Sequence, residues 1–368
     1  MKKYALIFLT TCLILTGCGK KEEKPVMTTT TTTTTYVEPE KRASMIMFGD
    51  CLLHGAVYQD ADNHDGTYNF DKMFEYIKPV VAKYDLKFYN QESIIGGKSL
   101  GLSTYPRFNS PEEIGDTMTN MGFNLVSLAN NHTLDRGKQG VLNSVAYWKT
   151  KDAMVAGSYA SEEERQNVQI GKVNGITYTL LSYTTATNGL YPPYGEEYLT
   201  SIYDEQKVLE DINRVKDKVD VIIVSMHWGV EYTHTPNYEQ KQIANYLSSL
   251  GVDIVIGHHP HVVQPIEYIG DTLVIYSLGN MISAQIGTER LTGGVVSLDI
   301  VKDDEGVRLE NIKTDLIYTS YSNYITNFKV IPYSQLSDNI LYNYLGLKEA
   351  YMNVLTEYDK TISVGIFD

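Results

Sequence analysis

Cysteine is scarce in this sequence, and long apolar runs and net positive charge are absent. Cys12, Cys18 and Cys51 are the three cysteines among 368 residues, which excludes a fold held together by several disulfides. No apolar run reaches the roughly 20 residues that a membrane-spanning helix needs. Lys and Arg total 31 against 45 Asp and Glu, a formal net charge of −14. Because phosphate binding needs a basic face, this acidity predicts no nucleic-acid partner.

Residues 1–17 are typical of a secretory signal. Lys2 and Lys3 form a basic start, and the apolar run that follows, 4–15, is too short to span a bilayer. The string Leu-Thr-Gly-Cys that ends at Cys18 resembles the lipobox of bacterial lipoproteins. That resemblance implies cleavage before Cys18 and lipid attachment to its sulfur. We therefore expect an extracytoplasmic protein, anchored to the bacterial cell membrane through lipidated Cys18.

Residues 18–42 have the composition of a disordered tether. They include eight consecutive threonines, 28–35, and a charged cluster at 20–24. Such a stretch has too little apolar surface to offset the entropy lost on ordering. We expect it to hold the folded part of the chain away from the membrane.

From residue 43 onward, short apolar runs end repeatedly in polar residues. Continuous apolar runs of this length favour strands that are buried on both faces. Amphipathic segments with helical spacing lie between them, and this alternation predicts a layered α/β domain. The runs are 44–48, 86–89, 125–128, 221–225, 254–256 and 273–277, and the helical segments are 70–84, 111–121, 138–151 and 238–250.

The polar residues that follow these runs form a consistent set of metal-binding side chains. In open α/β sheets, ligands bind at the carboxyl ends of the strands. A structural histidine is the common alternative for any one of these residues, but one shared site explains all the strand ends together. Imidazole with carboxylate and amide oxygens favours one or two divalent ions of Mn, Zn or Fe over Ca²⁺. The set is Asp50, Glu92, Asn131, His132, His227, His259 and His261.

The order of these strings resembles the CapA family, also called PgsA, of poly-γ-glutamate capsule proteins. That family is similar to the calcineurin-like metallophosphoesterases. The resemblance implies a four-layer α/β/β/α sandwich with the metal site between the edges of two sheets. It also implies a role in making, exporting or trimming an anionic γ-linked glutamate polymer, with membrane capsule-synthase subunits as possible partners. The strings lie at 49–50, 90–92, 131–137, 227–231, 257–262 and 277–280.

The resemblance also implies individual roles. His132 matches the residue that protonates the leaving group, and Glu92 falls where the parent superfamily has its bridging carboxylate. Leu52 stands where the parent has a histidine ligand, so one ion loses a ligand and His54 either replaces it or packs elsewhere. The implied metal ligands are Asp50, Glu92, Asn131, His227, His259 and His261.

Five further residues are candidates for the site. Asp135 and Glu231 are candidate catalytic residues that would orient an imidazole, or else solvated carboxylates. Arg136 would bind a substrate carboxylate through its bidentate fork, or form an outward salt bridge. Trp228 is either a substrate platform or wall packing, and Asn280 is a candidate substrate-binding residue.

We expect the CapA-like domain to span 43–305, with residues 176–183 and 293–300 in the second sheet. The Tyr-rich stretch 306–368 is expected to pack on the core as an added subdomain, with 337–358 largely helical. Three functions remain open at this point. They are a metal-dependent hydrolase or transferase, a non-catalytic accessory of a membrane capsule synthase, and a surface lipoprotein that binds a polymer.

Overall fold

The computed structural model describes residues 39–368. The signal peptide, Cys18 and most of the Thr-rich tether lie outside the described residues, so those expectations stay predictions. The first strand begins at Lys41, two residues before the predicted start of the folded domain. Among the described residues, no helix has the length and apolar character needed to cross a membrane.

Strands and helices alternate along most of residues 39–368. The strands are β1 (Lys41–Cys51), β2 (Leu86–Asn90), β3 (Leu125–Ser127), β4 (Met154–Ala156), β5 (Gly171–Val173), β6 (Ile176–Thr184), β7 (Val221–His227), β8 (Ile254–His258), β9 (Val263–Ile269), β10 (Thr272–Leu278), β11 (Asn280–Ile282), β12 (Thr292–Lys302), β13 (Val307–Ser320), β14 (Lys329–Pro332) and β15 (Ser363–Val364). The α-helices are α1 (Gly55–Asp60), α2 (Lys78–Val81), α3 (Glu113–Asn120), α4 (Gly137–Trp148), α5 (Glu162–Gln166), α6 (Glu205–Val215), α7 (Tyr238–Ser249), α8 (Thr288–Leu291) and α9 (Tyr344–Leu355).

All six apolar runs form strands, and the predicted helices at 111–121, 138–151 and 238–250 are confirmed as α3, α4 and α7. The prediction at 70–84 holds only in part, because that segment forms a 3₁₀ turn and the short helix α2. Helix α7 could be predicted because local sequence sets where it begins. The Asn237 side chain accepts a hydrogen bond from the Gln240 amide, and the Gln240 side chain accepts one from the Asn237 amide.

Two sheets carry the fold. The first has the order β14-β13-β12-β1-β2-β3-β4, with β11 added to β1 and β15 added to β13. The second has the order β5-β6-β7-β8-β10-β9. Strands β1 to β4 run parallel to one another, and so do β6, β7, β8 and β10. These parallel strands place their carboxyl ends at one edge of each sheet.

The two sheets pack face to face around a central apolar core. Met47 and Phe88 of the first sheet share this core with Leu180 and Ile223 of the second. Fully burying an aliphatic or aromatic side chain of this size contributes roughly 1.5–3 kcal/mol relative to leaving it exposed. The sheet-on-sheet contact is therefore the main stabilising interface of the fold.

Helices cover the outer face of each sheet. On the first sheet, Ile114 of α3 and Trp148 of α4 pack with Phe48 of β1. On the second sheet, Ile212 of α6 and Leu247 of α7 pack in the same way. The result is the four-layer α/β/β/α arrangement that the family resemblance implied.

Three expectations about the later part of the chain differ from the structure. Residues 293–300 belong to β12 of the first sheet, where β12 pairs antiparallel with β1, and not to the second sheet. An added C-terminal subdomain is not confirmed, because β13 and β15 extend the first sheet itself. The predicted helix at 337–358 is shorter and spans only α9. Apolar patterning identifies a strand, but its partner is set by pairing across distant sequence.

Candidate metal centre

The candidate site lies where strands from both sheets end. Asp50 on β1 pairs with Asn90 on β2, and His227 on β7 pairs with His258 on β8. The approach of the chain at Asp50 depends on Gly49, because a Cβ there would lie 1.9 Å from the Gly279 carbonyl oxygen. The Asp50 amide then donates to that carbonyl at 2.9 Å. The fold therefore brings residues more than 200 positions apart in sequence to one point.

Glu92 belongs to two groups of metal-binding side chains. One group comprises Glu92, His227 and His259, and the other comprises Asp50, Glu92 and His261. Within each group the donor atoms all lie within 4.8 Å of one another. A carboxylate shared by two donor groups is the arrangement found in two-metal hydrolytic sites.

Asn131 adds an oxygen to the first group. Its Oδ1 lies 3.0 Å from Nε2 of His227, which is in turn 3.1 Å from Nδ1 of His259. The same His227 nitrogen is 3.6 Å from Oε1 of Glu92. Two imidazole nitrogens, an amide oxygen and a carboxylate oxygen therefore converge, a donor set suited to Zn²⁺, Mn²⁺ or Fe.

His261 is held in the second group by Asn280. Nδ1 of His261 lies 3.0 Å from Oδ1 of Asn280, while Nε2 is 3.6 Å from Oε1 of Glu92. The Asn280 amide nitrogen donates to the Arg290 carbonyl oxygen and to Gln285. Asn280 is fully buried and orients the imidazole of His261, while its predicted role in binding substrate stays a prediction.

The Glu92 carboxylate tests whether a cation fits here. Glu92 is fully buried, and neither of its oxygens has a hydrogen-bond partner among the described residues. An uncompensated buried carboxylate costs several kcal/mol. His259 and His261 also hold positive φ angles of 95° and 57°, which non-glycine residues adopt at a cost of about 1–3 kcal/mol each. A divalent ion between these side chains accounts for both features.

The electrostatics of His227 and His259 agree with this interpretation, whereas His261 behaves differently. Burial lowers the pKa of His227 well below its usual range, and burial together with His261 lowers the pKa of His259 to about 4. Both rings are therefore neutral near pH 7, which is the state that coordinates metal. Burial also lowers the pKa of His261, but the charges of Glu92 and Asp50 outweigh it and raise the value to about 9.

Asp50 and Glu92 differ in their surroundings. Burial alone would raise the pKa of Asp50, but hydrogen bonds from His258 and His261 hold it well below its usual range. Burial raises the pKa of Glu92 well above its usual range, and the Asp50 charge adds to the shift. Glu92 is therefore the carboxylate that gains most from a cation.

His132 lies beside this group and is oriented by Asp135. Its Nδ1 donates to Oδ2 of Asp135 at 2.7 Å, which leaves Nε2 free for proton transfer. The same Asp135 oxygen accepts the Phe108 amide at 2.6 Å, and the Phe108 ring packs edge-on against His132 at 4.7 Å. Asp135 therefore orients the imidazole of His132, which is one of the two roles considered for it in the sequence analysis.

A cleft of about 470 Å³ opens over the site. Leu52 forms part of the cleft wall and is 2% exposed. Because this residue is a leucine, it supplies no imidazole to the second donor group. His54 also lines the cleft, but it belongs to neither donor group. Burial lowers the pKa of His54 to about 4, so the ring is neutral near pH 7. Residues of the wall that bear on function are Leu52, His54, Arg107, His132, Glu231 and His261.

A comparison with known protein families identifies the family to which this chain belongs. The model of the bacterial capsule synthesis protein PGA_cap matches residues 44–285, well over half of the chain. The chain belongs to this family. Every residue of the candidate site described above lies within the matched range, so the PGA_cap match and the geometry concern the same part of the molecule.

Among characterised relatives, the chain is 28% identical over 245 residues to the PGA biosynthesis protein CapA of Bacillus subtilis (strain 168), covering 64% of this chain and 63% of that protein. It is 27% identical over 259 residues to the capsule biosynthesis protein CapA of Bacillus anthracis, covering 67% and 61%. The chain thus spans little more than three fifths of the length of these relatives. Among solved structures, a novel phosphatase from Mycoplasma pneumoniae is similar with 14% identity and a TM-score of 0.48, covering 82% of this chain and 99% of that chain.

Two candidate substrate contacts of this chain, Trp228 and Arg136, make contacts within the protein. Trp228 is fully buried, stacks on Tyr276 and donates its indole N–H to the Tyr276 carbonyl oxygen at 2.9 Å. Arg136 donates to the Leu100 carbonyl oxygen and to Ser103, and it forms no salt bridge with another described residue, so its binding of a substrate carboxylate stays a prediction. Glu231 is exposed on the cleft wall, and no hydrogen bond joins it to a histidine among the described residues.

Three residues of the site were missed by sequence reasoning. Nδ1 of His258 lies 3.1 Å from Asp50, and Asn90 donates to the same carboxylate at 2.8 Å. Both residues belong to strings listed in the sequence analysis, 90–92 and 257–262. Their position next to predicted ligands could therefore have identified them. Asn188 contacts Asn131 at 3.4 Å from a loop that carries no recognisable pattern.

One serine string resembles a nucleophile elbow but lies elsewhere. Gly97-Lys98-Ser99-Leu100-Gly101 contains the residues of that motif. The structure places it in an exposed 3₁₀ turn, Lys98–Leu100, with no strand leading directly into it. A nucleophile elbow needs a sharp turn from strand to helix, so Ser99 is not a nucleophile of that kind.

Proposed function

We propose that this chain is a metal-dependent hydrolase of the bacterial cell surface. It acts in the synthesis, export or trimming of an anionic polymer of the poly-γ-glutamate kind. The observation that carries the proposal is the buried Glu92 carboxylate, which accepts no hydrogen bond among the described residues and is shared by two donor groups. Membership of the capsule synthesis family supports the choice of polymer.

The residues present define which parts of the chemistry the protein itself supplies. Asp50, Glu92, Asn131, His227, His259 and His261 would hold the ions. Bound divalent cations supply Lewis acidity and neutralise charge. His132 faces the cleft with its Nδ1 fixed by Asp135, so its Nε2 is positioned to deliver a proton to a leaving group.

The cell-surface part of the proposal rests on the sequence before residue 39. Replacing Cys18 with Ser should release the protein from the membrane fraction and abolish labelling by a radioactive fatty acid. A Cys51→Ser variant is the matched control, because Cys51 is buried in the fold. Membrane attachment that survives Cys18→Ser would reject lipid anchoring.

The central test measures metal and activity together. Elemental analysis of the purified chain should find one or two divalent ions, and His259→Ala should lose at least one. His64→Ala is the matched control, since His64 lies on an exposed loop. Cleavage of γ-glutamyl chains and of phosphodiesters should follow metal content. Metal-free protein with full activity would contradict the proposal.

A second candidate function is supported by Leu52. Because this residue leaves the second donor group without a further imidazole, the site is also compatible with a non-catalytic accessory of a membrane capsule synthase. His132→Ala separates the two candidates. Normal polymer production by cells carrying that variant would favour the accessory role, and loss of polymer with metal content intact would favour catalysis.

A further inference from the structure

Arg107 differs in its permanent positive charge from the other residues that line the cleft. It is the one Lys or Arg side chain among the cleft-lining residues in the described part of the chain. It is exposed, and within residues 39–368 its guanidinium has no hydrogen bond or ion pair with another residue. The other two arginines near the site are already engaged. Arg136 donates to Leu100, and Arg290 lies 4.0 Å from the centre of the Tyr232 ring.

The backbone on both sides of Arg107 is fixed. The Arg107 carbonyl oxygen accepts the Ser103 hydroxyl at 2.7 Å, and the next amide, that of Phe108, donates to Asp135 at 2.6 Å. The Asn109 side chain ties the loop further by donating to the Gly101 carbonyl oxygen at 2.8 Å. Because Asp135 also accepts from His132, the loop that carries Arg107 and the proton-transfer residue share one anchoring atom.

The carboxylates around the cleft would repel an anionic substrate, and a positively charged side chain such as Arg107 would offset this repulsion. Glu231 lies on the wall, and Asp50 and Glu92 lie beneath the cleft floor in a chain with a net charge of −14. A polyanion entering this region meets repulsion from the carboxylates that the bound ions do not neutralise. A guanidinium presents a planar pair of donors that matches a carboxylate or phosphate group.

We propose that Arg107 binds an anionic group of the substrate, a carboxylate or a phosphate, and thereby sets the preference of the cleft for polyanions. The inference rests on the proposed function for its substrate class. It assigns Arg107 a role in binding, with no role in holding metal or moving protons. Its free guanidinium and its rigid backbone together distinguish it from the exposed basic residues elsewhere on the surface.

The test measures binding to the metal-loaded protein, without relying on turnover. Three probes are used: a γ-linked glutamate oligomer, the same oligomer with its α-carboxyl groups methyl-esterified, and inorganic phosphate. Wild type should prefer the charged oligomer over its ester by about tenfold or more. Arg107→Ala should weaken binding of the charged oligomer by about ten- to a hundredfold and leave the ester unaffected.

Two further variants sharpen the result. Arg107→Lys keeps the charge but loses the fork, so its affinity should fall between those of wild type and Arg107→Ala. Arg308→Ala removes the same charge from a surface ion-pair network on β13 and should bind like wild type. Metal content should be equal in all four proteins, because Arg107 belongs to neither donor group.

Each outcome decides the inference. A loss confined to the oligomer identifies a carboxylate, and a loss confined to inorganic phosphate identifies a phosphate. Arg107→Ala that binds every probe like wild type overturns the inference, and so does a wild type that binds none of the three probes. A wild type that binds through Arg107 but cleaves nothing supports Arg107 and rejects the hydrolase proposal instead.

Discussion

Nδ1 of His258 lies 3.1 Å from Oδ1 of Asp50, and both side chains are fully buried. The His258 ring also stacks on Phe88, with 5.5 Å between ring centres, so its position is fixed by the central core. His258 belongs to neither donor group, yet it sets the orientation of a carboxylate that does. The apolar core and the candidate metal site are therefore joined at this pair.

Replacing His258 with Gln should weaken one ion site more than the other. The change removes the imidazole beside Asp50, and loss of such an orienting partner typically lowers metal affinity by about 10- to 100-fold. The affected site is that of Asp50, Glu92 and His261, whereas the group with His227 and His259 provides an internal control. Calorimetric metal titration of wild type and variant would check this. Equal weakening of both sites would contradict it.

Glu92→Gln should abolish the stabilisation of the fold by metal. A ligand present at 100 times its dissociation constant stabilises the folded state by about 2.7 kcal/mol, so metal should raise the unfolding midpoint of wild type. The neutral amide that this substitution introduces cannot supply the negative charge that both donor groups share. Thermal unfolding with and without added Mn²⁺ or Zn²⁺ measures the effect, and Glu231→Gln, on the exposed cleft wall, is the control. A metal-induced shift that persists in Glu92→Gln would be evidence against the shared carboxylate.

Asp135→Asn should lower turnover while leaving metal content unchanged. An amide in place of the carboxylate no longer fixes the protonated Nδ1 of His132, and general acid–base catalysis typically contributes about 10²- to 10⁴-fold. The double variant with His132→Ala should be no worse than His132→Ala alone, because the two residues act as a unit. Additive losses in that double variant would show that Asp135 acts independently of His132.

Asp253 lies away from the site, and its buried side chain should make the stability of the fold depend on pH. Burial raises the pKa of Asp253 to about 6, while its side chain accepts the Ile222 amide at 2.7 Å. The folded chain thus keeps this proton at a pH where the unfolded chain has lost it. Its contribution to stability is complete below the unfolded pKa and is lost as pH rises through the folded value.

Asp253→Asn should therefore become more stable than wild type as pH rises from about 4 to about 6. Asn can still accept the Ile222 amide but carries no charge to bury. The difference should reach roughly 1–3 kcal/mol and then stay constant at higher pH. Urea unfolding across this pH range measures it, with the exposed Asp217→Asn as control. A difference that does not vary with pH would refute the assignment to Asp253.

Trp228→Phe should destabilise the fold without changing substrate affinity. The variant loses the hydrogen bond to the Tyr276 carbonyl oxygen, which typically contributes about 0.5–1.5 kcal/mol, and leaves space in the helix-covered face of the second sheet. Unfolding measurements should show the loss, and KM should match that of wild type. A raised KM with unchanged stability would restore the substrate role.

The strand pattern predicted much of this site because parallel strands end at a common edge. Asp50, Asn131, His227 and His259 each follow an apolar run, and the structure brings their side chains together. Of the two roles left open for Trp228, the structure shows the packing one, because the residue directly after His227 points away from the site and stacks on Tyr276.

Long-range contacts account for the remaining differences. The guanidinium of Arg136 is taken by the carbonyl oxygen of Leu100, a partner 36 residues away that no local spacing reveals. Asn188 reaches the site from an irregular loop, where neither the helical nor the strand period applies. The pairing of β12 with β1 is likewise a property of the assembled sheet.

The position of Glu92 in both donor groups has a consequence for how the protein responds to metal supply. If two ions bind as proposed, the first would meet the full negative charge of the carboxylate, and the second would meet a charge already partly neutralised. Occupancy of one position would then alter the affinity of the other, and the two equilibria would be linked by a free energy that acts equally in both directions. At low metal supply such a molecule would settle into a singly loaded form whose abundance reflects that linkage.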